Sequence, residues 1–410
     1  MLTGSYPRRW VTKVIAVVIS ARATEAKAAV DIVTTFFGRI QALAHDADAL
    51  DLTFGNPHEM ALPGLPAAIR AQLDPRSVDW FAYKTSERGA QEAVAAGLDA
   101  ELGLAFEPED IAMTQGAFGA ISLAFALLTD AGDEVIIPVP GWFCYEPMLH
   151  AANLVPVRAA LDPASFDLDV DAIARAITPR TRIVVVNSPA NPTGRVYPKA
   201  AWDALAAVLE EASRTHGRRI WLLSDEPYRQ IRFDGVEFAS PAGSYPWTLI
   251  DYSYGKVLLA PGQRLGYLAI SPLVPAQERL ELRDALFPIG LAIGWGFPDA
   301  VMQYSVPALQ SLSLDMADLT RKRDRMYGAL TEARYQVTRP EGTFYLWGRA
   351  PGGDAGSFCD MLATRGVYVM PGSLFDQPHH FRISLTATMA MIDSALPHLM
   401  DVAAELGTDA

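Results

Sequence analysis

A lysine and an arginine eight residues apart carry the strongest chemical signal in the chain. Lys256 closes the small-residue turn Ser253-Tyr254-Gly255-Lys256, directly after the apolar run Trp247 to Tyr252, and Arg264 follows between Gly262 and Gly266. Lysine is scarce: only Lys13, Lys27, Lys84, Lys199, Lys256 and Lys322 occur, and Lys256 is the one framed by strand-like segments on both sides. An amine held in such a frame can have its pKa lowered and attack a carbonyl as a Schiff-base nucleophile. An isolated turn lysine is most often a solvated surface residue, so the neighbouring segments decide between the two.

Those segments share one placement. Asn187 to Gly194 follows the apolar run Ile183–Val186, Asp225 follows Trp221–Leu223, and Ser253 follows Thr248–Tyr252. Ligands of open α/β sheets bind outside the carboxyl ends of the strands. Gln115-Gly116-Ala117-Phe118-Gly119 reads as a tight loop between the strand Ile111–Thr114 and an apolar helix from Ala120 to Leu128. Backbone amides at such a helix start form an anion site. In isolation each segment has a plainer meaning: Asp225 a cap, Asn191-Pro192-Thr193-Gly194 a turn, the small residues a close packing contact.

The elements that must position these residues alternate between strand and helix. Short, β-branched apolar runs (Val135–Ile137, Leu154–Val157, Ile183–Val186, Ile220–Leu223, Thr248–Tyr252, Gly266–Ile270) are separated by helical stretches such as Tyr145–Ala152, Asp169–Ala176 and Lys199–His216. That pattern predicts an α/β fold whose mostly parallel sheet is buried on both faces. Upstream, Ala26–Ala44 reads as an amphipathic helix, Asp51–Pro57 as extended, and Pro66 opens a helix over Ala67–Leu73. After Pro272 helices at Gln277–Phe287, Pro298–Leu309 and Leu314–Ala333 lead into short strands and a last helix, Ala390–Leu406, as in a smaller α+β domain. The expected division is an N-terminal extension over 1–25, part of the small domain over 26–56, a large domain over 57–308 and the small C-terminal domain over 309–410. The long helix Leu314–Ala333 is expected to bridge the two lobes.

Composition excludes several classes. The 410 residues are half apolar and one fifth charged, with a net charge of −13, which argues against nucleic acid or an anionic membrane as the main partner. Two cysteines, Cys144 and Cys359, make no disulfide framework and fit a reducing, cytoplasmic setting. No HExxH, CxxC…H, GxSxG or P-loop pattern occurs, and no metal site is expected. Arg8, Arg9 and Lys13 before Val14–Ile19 and Ser20-Ala21-Arg22-Ala23 resemble a secretory signal, but the apolar run is too short. A floppy extension or an over-called start is expected there. No stretch is long enough to span a bilayer.

From about Asp51 to the C-terminus the chain resembles the fold-type I, pyridoxal-phosphate-dependent aminotransferases of class I/II, the aspartate aminotransferase family. The motifs are Asn187-Ser188-Pro189-Ala190-Asn191-Pro192-Thr193-Gly194, Ser224-Asp225-Glu226-Pro227-Tyr228, Ser253-Tyr254-Gly255-Lys256 with Arg264-Leu265-Gly266-Tyr267, Glu341-Gly342-Thr343-Phe344-Tyr345-Leu346-Trp347, and Phe381-Arg382-Ile383-Ser384. The resemblance implies pyridoxal 5'-phosphate as cofactor and Lys256 as its Schiff-base lysine and proton carrier. Asp225 would pair with the pyridine nitrogen, Tyr228 and Asn191 with the phenolic oxygen, and Trp142 would stack on the ring. The amides of Gly116, Ala117 and Phe118, closed by Ser253 and Arg264, would hold the phosphate. Arg382 would bind the substrate α-carboxylate, with Gly55 and Asn191 on the substrate side. Tyr83 would reach the phosphate of a partner subunit in a homodimer.

The chain departs from the family pattern in places. Gly255 stands where serine is common, and the spacing from Tyr83 to Gly89 is one residue long. No second arginine for a side-chain carboxylate is identifiable. The segment Pro288–Phe297, where the family builds specificity, is apolar and glycine-rich, which points away from plain aspartate. The expected activity is amino transfer from an amino acid to a 2-oxo acid. The alternative is a pyridoxal-phosphate-dependent lyase, cyclase, decarboxylase or oxidase using the same site, because fold and cofactor serve all of these. An effector-sensing module would need a DNA-binding segment, and a nucleotide-binding α/β protein a GxGxxG with its acidic residue; neither pattern occurs.

Overall fold

The computed structural model describes residues 18–42 and 48–407. Its strands, in chain order, are β1 Leu50–Asp51, β2 Ile111–Thr114, β3 Glu134–Val139, β4 Val155–Ala160, β5 Thr181–Asn187, β6 Trp221–Asp225, β7 Thr248–Ser253, β8 Gly266–Ile270, β9 Val337–Thr338, β10 Tyr345–Arg349, β11 Val367–Tyr368, β12 Met370–Pro371 and β13 His380–Ser384.

Seven strands form one sheet in the order β2-β8-β7-β6-β5-β3-β4. All are parallel except β8, which runs antiparallel to β2 and β7. Every residue of β6, β7 and β8 is buried, so these strands read as near-continuous apolar runs. One face carries Ile121, Phe125, Leu149, Leu223 and Leu268; the other carries Val184, Val186, Leu222, Trp202, Leu205 and Leu209. The helix Lys199–His216 buries Trp202, Leu205, Leu209 and Ser213, the stripe that a period of 3.6 residues demands.

The reversal at β8 positions the chemistry. The chain leaves β7, turns through the one-turn helix Tyr254–Val257, loops over Leu258–Leu265 and returns antiparallel. Ser253 and Gly266 are register partners across that return. Lys256 and Arg264 therefore stand on the two limbs of one connection, which is the physical meaning of their spacing.

The smaller lobe holds the antiparallel sheet β12-β13-β10-β9 and the parallel pair β1-β11. Helices Met316–Glu332, Ala355–Ala363 and Met389–Leu406 cover it around a core that includes Phe344, Leu346, Phe358, Phe381 and Leu399. The helix Met316–Glu332 starts just after Leu314, whose N–H bonds to Val257 O, and packs on Met389–Leu406. Its Arg323 forks onto Asp234 at 2.8 and 3.0 Å.

Several expected boundaries move. The first helix spans Ala21–Gln41, with Ser20 Oγ accepting from Ala23 N. The stretch Ser20-Ala21-Arg22-Ala23 is thus a helix cap and first turn. The rest of the N-terminal extension, residues 1–17, and the expected helix end at Ala44 lie outside the described residues. Gly116 already belongs to the helix Gly116–Leu128, so the expected loop over Gln115–Gly119 is mostly a first helical turn. The helix Ala276–Ala292 runs through Pro288, past the expected end at Phe287, and takes up the first half of the apolar, glycine-rich segment Pro288–Phe297. Among the described residues no helix is long and apolar enough to cross a membrane, and no cluster of metal-ligating side chains occurs.

Candidate active site

A cleft of about 180 Å³ lies at the carboxyl ends of β5, β6 and β7, closed on the far side by residues of the smaller lobe. Gly55, Ala117, Phe118, Trp142, Asn191, Asp225, Tyr228, Ser253, Lys256, Arg264 and Arg382 all line it.

Lys256 projects from the one-turn helix capped by Ser253, whose Oγ accepts from Gly255 N. Its Nζ lies 5.7 Å from the Tyr228 ring centre. No carboxylate comes within ion-pair distance of Nζ among the described residues, so the amine is left for a ligand.

Asp225 ends β6, fully buried. Its Oδ2 accepts from the Tyr145 hydroxyl, and Oδ1 has no partner among the described residues. Burial raises its pKa to about 6, against the opposing pull of Tyr145, Asp251 and Lys256. A buried carboxylate with a free oxygen in a cleft calls for a cationic N–H donor. Asn187 braces the same end of the sheet: its Nδ2 donates to Asp225 O at 2.8 Å, and its Oδ1 accepts from Asn191 N at 2.7 Å.

On the opposite wall Arg382 is buried in β13. Its Nη1 donates to Asn191 Oδ1 and its Nη2 to Thr53 O, each at 2.8 Å, while Nε has no partner. The guanidinium sits 3.8 Å from the Tyr345 ring centre. Tyr228 and Tyr345 meet edge to face, with ring centres 6.0 Å apart. Burial drives the Tyr228 hydroxyl well above the ordinary tyrosine value, and Tyr345 adds to the rise. Burial pushes Tyr345 up too, but Arg382, Lys256 and Tyr228 outweigh it and leave that hydroxyl lowered. Tyr345 is the more acidic member of the pair.

Arg264 reaches over the start of the helix Gly116–Leu128. A Cβ on Gly116, which has φ +72°, would lie 2.9 Å from Arg264 Nη2. Gln115, the residue before that helix, supplies no side-chain cap. The first-turn amides and the guanidinium thus form a cradle for an anion. Gly55 is tight for the same kind of reason: its Cβ would lie 2.5 Å from Phe344 Cε2 and 2.8 Å from the Tyr345 hydroxyl.

A family model described as aminotransferase class I and II matches residues 47–399. The chain belongs to this family. It is similar to the aspartate/prephenate aminotransferase of Thermus thermophilus, at 32% identity over 75% of this chain and 78% of that protein. It is also similar to a probable N-succinyldiaminopimelate aminotransferase of Mycobacterium tuberculosis, at 30% over 84% and 87%. Among solved structures, an aminotransferase from Eubacterium rectale superposes with TM-score 0.84 at 28% identity, covering 95% of this chain and 96% of that one. The aspartate aminotransferase from Thermus thermophilus with maleate gives 0.79 at 28%, over 94% and 99%.

In this aminotransferase the Gly255 departure has a steric cause. A Cβ there would lie 2.8 Å from Pro261 Cα, so the returning loop leaves no room for serine. Tyr83 stands apart from the cleft: it is exposed and packs on Phe297, ring centres 4.9 Å apart. Sequence reasoning left Phe37, Phe143, Asn187, Tyr345, Tyr145 and Asp251 without a role. Asn187 and Tyr345 stood inside quoted motifs and were within reach of it. Asp251 needed the register of β6 on β7, and Phe37 needed the path of the first helix.

Proposed function

We propose that the protein holds pyridoxal 5'-phosphate on Lys256 and moves an amino group from an amino acid to a 2-oxo acid. One observation carries the reading: the Lys256 amine, the unpartnered Asp225 Oδ1 and the unpartnered Arg382 Nε converge on one cleft. The residues fit the cofactor. Asp225 would receive its pyridinium N–H. Asn191 and Tyr228 would face its phenolic oxygen, and Trp142 its ring. Gly116, Ala117, Phe118, Ser253 and Arg264 would hold its phosphate. Bound there, the cofactor supplies an electron sink for the pair left when the substrate Cα–H bond breaks.

The chain's own groups do the rest. Arg382 anchors the α-carboxylate by charge-assisted hydrogen bonds and fixes the Cα–H bond relative to Lys256. The Lys256 amine takes that proton onto Nζ and holds it for redelivery, one tethered base serving both transfers. Because Arg382, Thr53 and Gly55 come from the smaller lobe, substrate binding draws the lobes together and excludes water. In this reading 57–308 form the cofactor lobe, and 26–56 with 309–410 the smaller one.

The working unit is a cytoplasmic homodimer, with Tyr83 serving the partner's phosphate. Supporting this, Phe81, Tyr83, Phe287, Leu291 and Phe297 are exposed apolar side chains, and Tyr83, Phe297 and Phe287 are in ring contact at 4.9 and 5.9 Å. Contiguous exposed apolar surface marks an association site. Burial raises the pKa of the Cys144 thiol to about 12 and keeps it protonated.

The test is a half-reaction. Cofactor-loaded protein is mixed with single amino acids in the absence of any oxo acid. One 2-oxo acid released per site, with the amino group retained on the cofactor and no ammonia, is expected. Continuous release of ammonia or carbon dioxide would place the protein among the lyases, decarboxylases or oxidases instead.

A further inference from the structure

The cleft holds three cations, Lys256, Arg264 and Arg382, and one carboxylate, Asp225. The proposed reaction uses all of them: Lys256 and Asp225 on the cofactor, Arg264 on its phosphate, Arg382 on the α-carboxylate. Among the described residues of one subunit, no charged side chain in the lining is left to meet a charge on the substrate's own side chain.

Much of the remaining lining is aromatic, with the uncharged Asn56 and Asn187 beside it. Phe37 reaches in from the first helix, which packs on the helix Tyr145–Ala151. Phe54 is gripped by Phe37 at 5.2 Å and by Phe36 at 6.0 Å, between ring centres. Phe143 lies 5.6 Å from Phe375, and Phe118 meets Trp142 edge to face at 4.9 Å. Two of these rings stay uncovered: Phe37 is 41% and Phe118 38% exposed. An apolar side chain laid against them removes that surface from water, and aromatic contact adds to the gain. A carboxylate placed there loses its hydration with no counter-charge.

We propose that the amino donor carries an uncharged apolar side chain, aliphatic or aromatic. Phe37 on the N-terminal helix and Phe118 at the head of the helix Gly116–Leu128 recognise it. The inference rests on the reading of the site given above, with Arg382 holding the α-carboxylate.

The experiment uses carboxylates that lack the amino group and cannot turn over. Cofactor-loaded protein is titrated calorimetrically with propionate, isocaproate, phenylpropionate and succinate. Isocaproate and phenylpropionate are expected to bind at least about tenfold tighter than propionate, and succinate no tighter than propionate. Phe37→Ala is expected to weaken phenylpropionate about tenfold and leave propionate unchanged, with Phe37→Leu in between. Succinate binding tightest, or four equal affinities, overturns the proposal. So does an equal loss for every ligand in both Phe37 variants. These affinities involve no chemistry. A failed half-reaction therefore sinks amino transfer without touching the substrate class, and a failed titration does the reverse.

Discussion

Asp225 and Asp251 are register partners on the parallel strands β6 and β7, and both carboxyl groups are buried. No hydrogen-bond partner reaches either Asp251 oxygen among the described residues. Burial, followed by the charge of Asp225, drives Asp251 far above the ordinary carboxylate range, so it stays protonated. Asp225, by contrast, is helped toward its charged form by Asp251, Tyr145 and Lys256. Two neighbouring carboxyl groups that cannot both ionise divide into one acid and one anion.

That division predicts opposite outcomes for two substitutions. Asp251→Asn keeps a neutral polar side chain beside Asp225 and should leave cofactor affinity within about threefold of wild type. Asp251→Val removes that dipole, pushes Asp225 further toward its neutral form and should weaken cofactor binding about tenfold. Fluorescence titration of the apoprotein with pyridoxal 5'-phosphate measures both. An anionic Asp251 would show itself by a large gain of affinity or stability in the Asn variant.

The raised pKa of Asp225 also makes a stability prediction. In the folded apoprotein it protonates at about 6, above its usual value of 3.8. Its neutral form is favoured by the fold, so the contribution is full below about pH 4 and is lost as pH rises through 6. Between those limits apo wild type should lose stability relative to apo Asp225→Asn, on the order of a few kcal/mol. Denaturant melts of both apoproteins at pH 4, 5, 6 and 7 measure the gap; a gap independent of pH would place the Asp225 pKa near its ordinary value.

Gly255→Ser probes the departure from the family pattern. The new Cβ would meet Pro261 Cα at 2.8 Å, and Pro261 O accepts from Arg264 Nη1 at 2.7 Å. Shifting the loop should cost about 1–3 kcal/mol of stability. It should also displace Arg264 and weaken cofactor binding through the phosphate. Melting temperature and cofactor affinity should fall together; a serine accepted without loss would mean that the loop yields freely.

Lys256→Ala should abolish covalent attachment of the cofactor while the fold survives, since only a half-buried side chain in a one-turn helix is shortened. The gel-filtered variant, treated with borohydride, should carry no reduced cofactor on the protein. A labelled peptide from that variant would assign the attachment to another lysine.

The large sheet was legible because its strands are buried on both faces and its helices carry period-3.6 stripes. Lys199–His216, Ile111–Thr114 and Gly266–Ile270 have the bounds expected from sequence. The site residues at the strand ends were legible for the same reason, since a parallel sheet delivers Asn187, Asp225 and Ser253 to one edge. What the sequence hid depends on contacts distant along the chain. Phe37 reaches the cleft only because its helix docks on Tyr145–Ala151. The pairing of Asp251 with Asp225 follows from strand register, which alternation cannot supply when a strand is buried on both faces. Gly116 looked like loop because glycine, here at 116 and again at 119, is a poor helix former.

Arg382 gives the sharpest test of the substrate side. Its guanidinium is held by Asn191 Oδ1 and Thr53 O, each at 2.8 Å, and lies 3.8 Å from the centre of the Tyr345 ring. Those contacts use its planar fork and leave Nε open. A lysine keeps the charge, but a single ammonium cannot serve Asn191, Thr53 and a carboxylate with the same geometry. Arg382→Lys should therefore lower kcat/KM about 10²-fold and weaken phenylpropionate and propionate alike. It should leave cofactor affinity nearly unchanged, because no phosphate or pyridine contact is assigned to this residue. Equal loss for both carboxylates separates Arg382 from Phe37, whose removal should affect only the larger ligand. An Arg382→Lys protein that retains propionate affinity would move the α-carboxylate elsewhere, leaving Arg264 as the remaining arginine in the cleft.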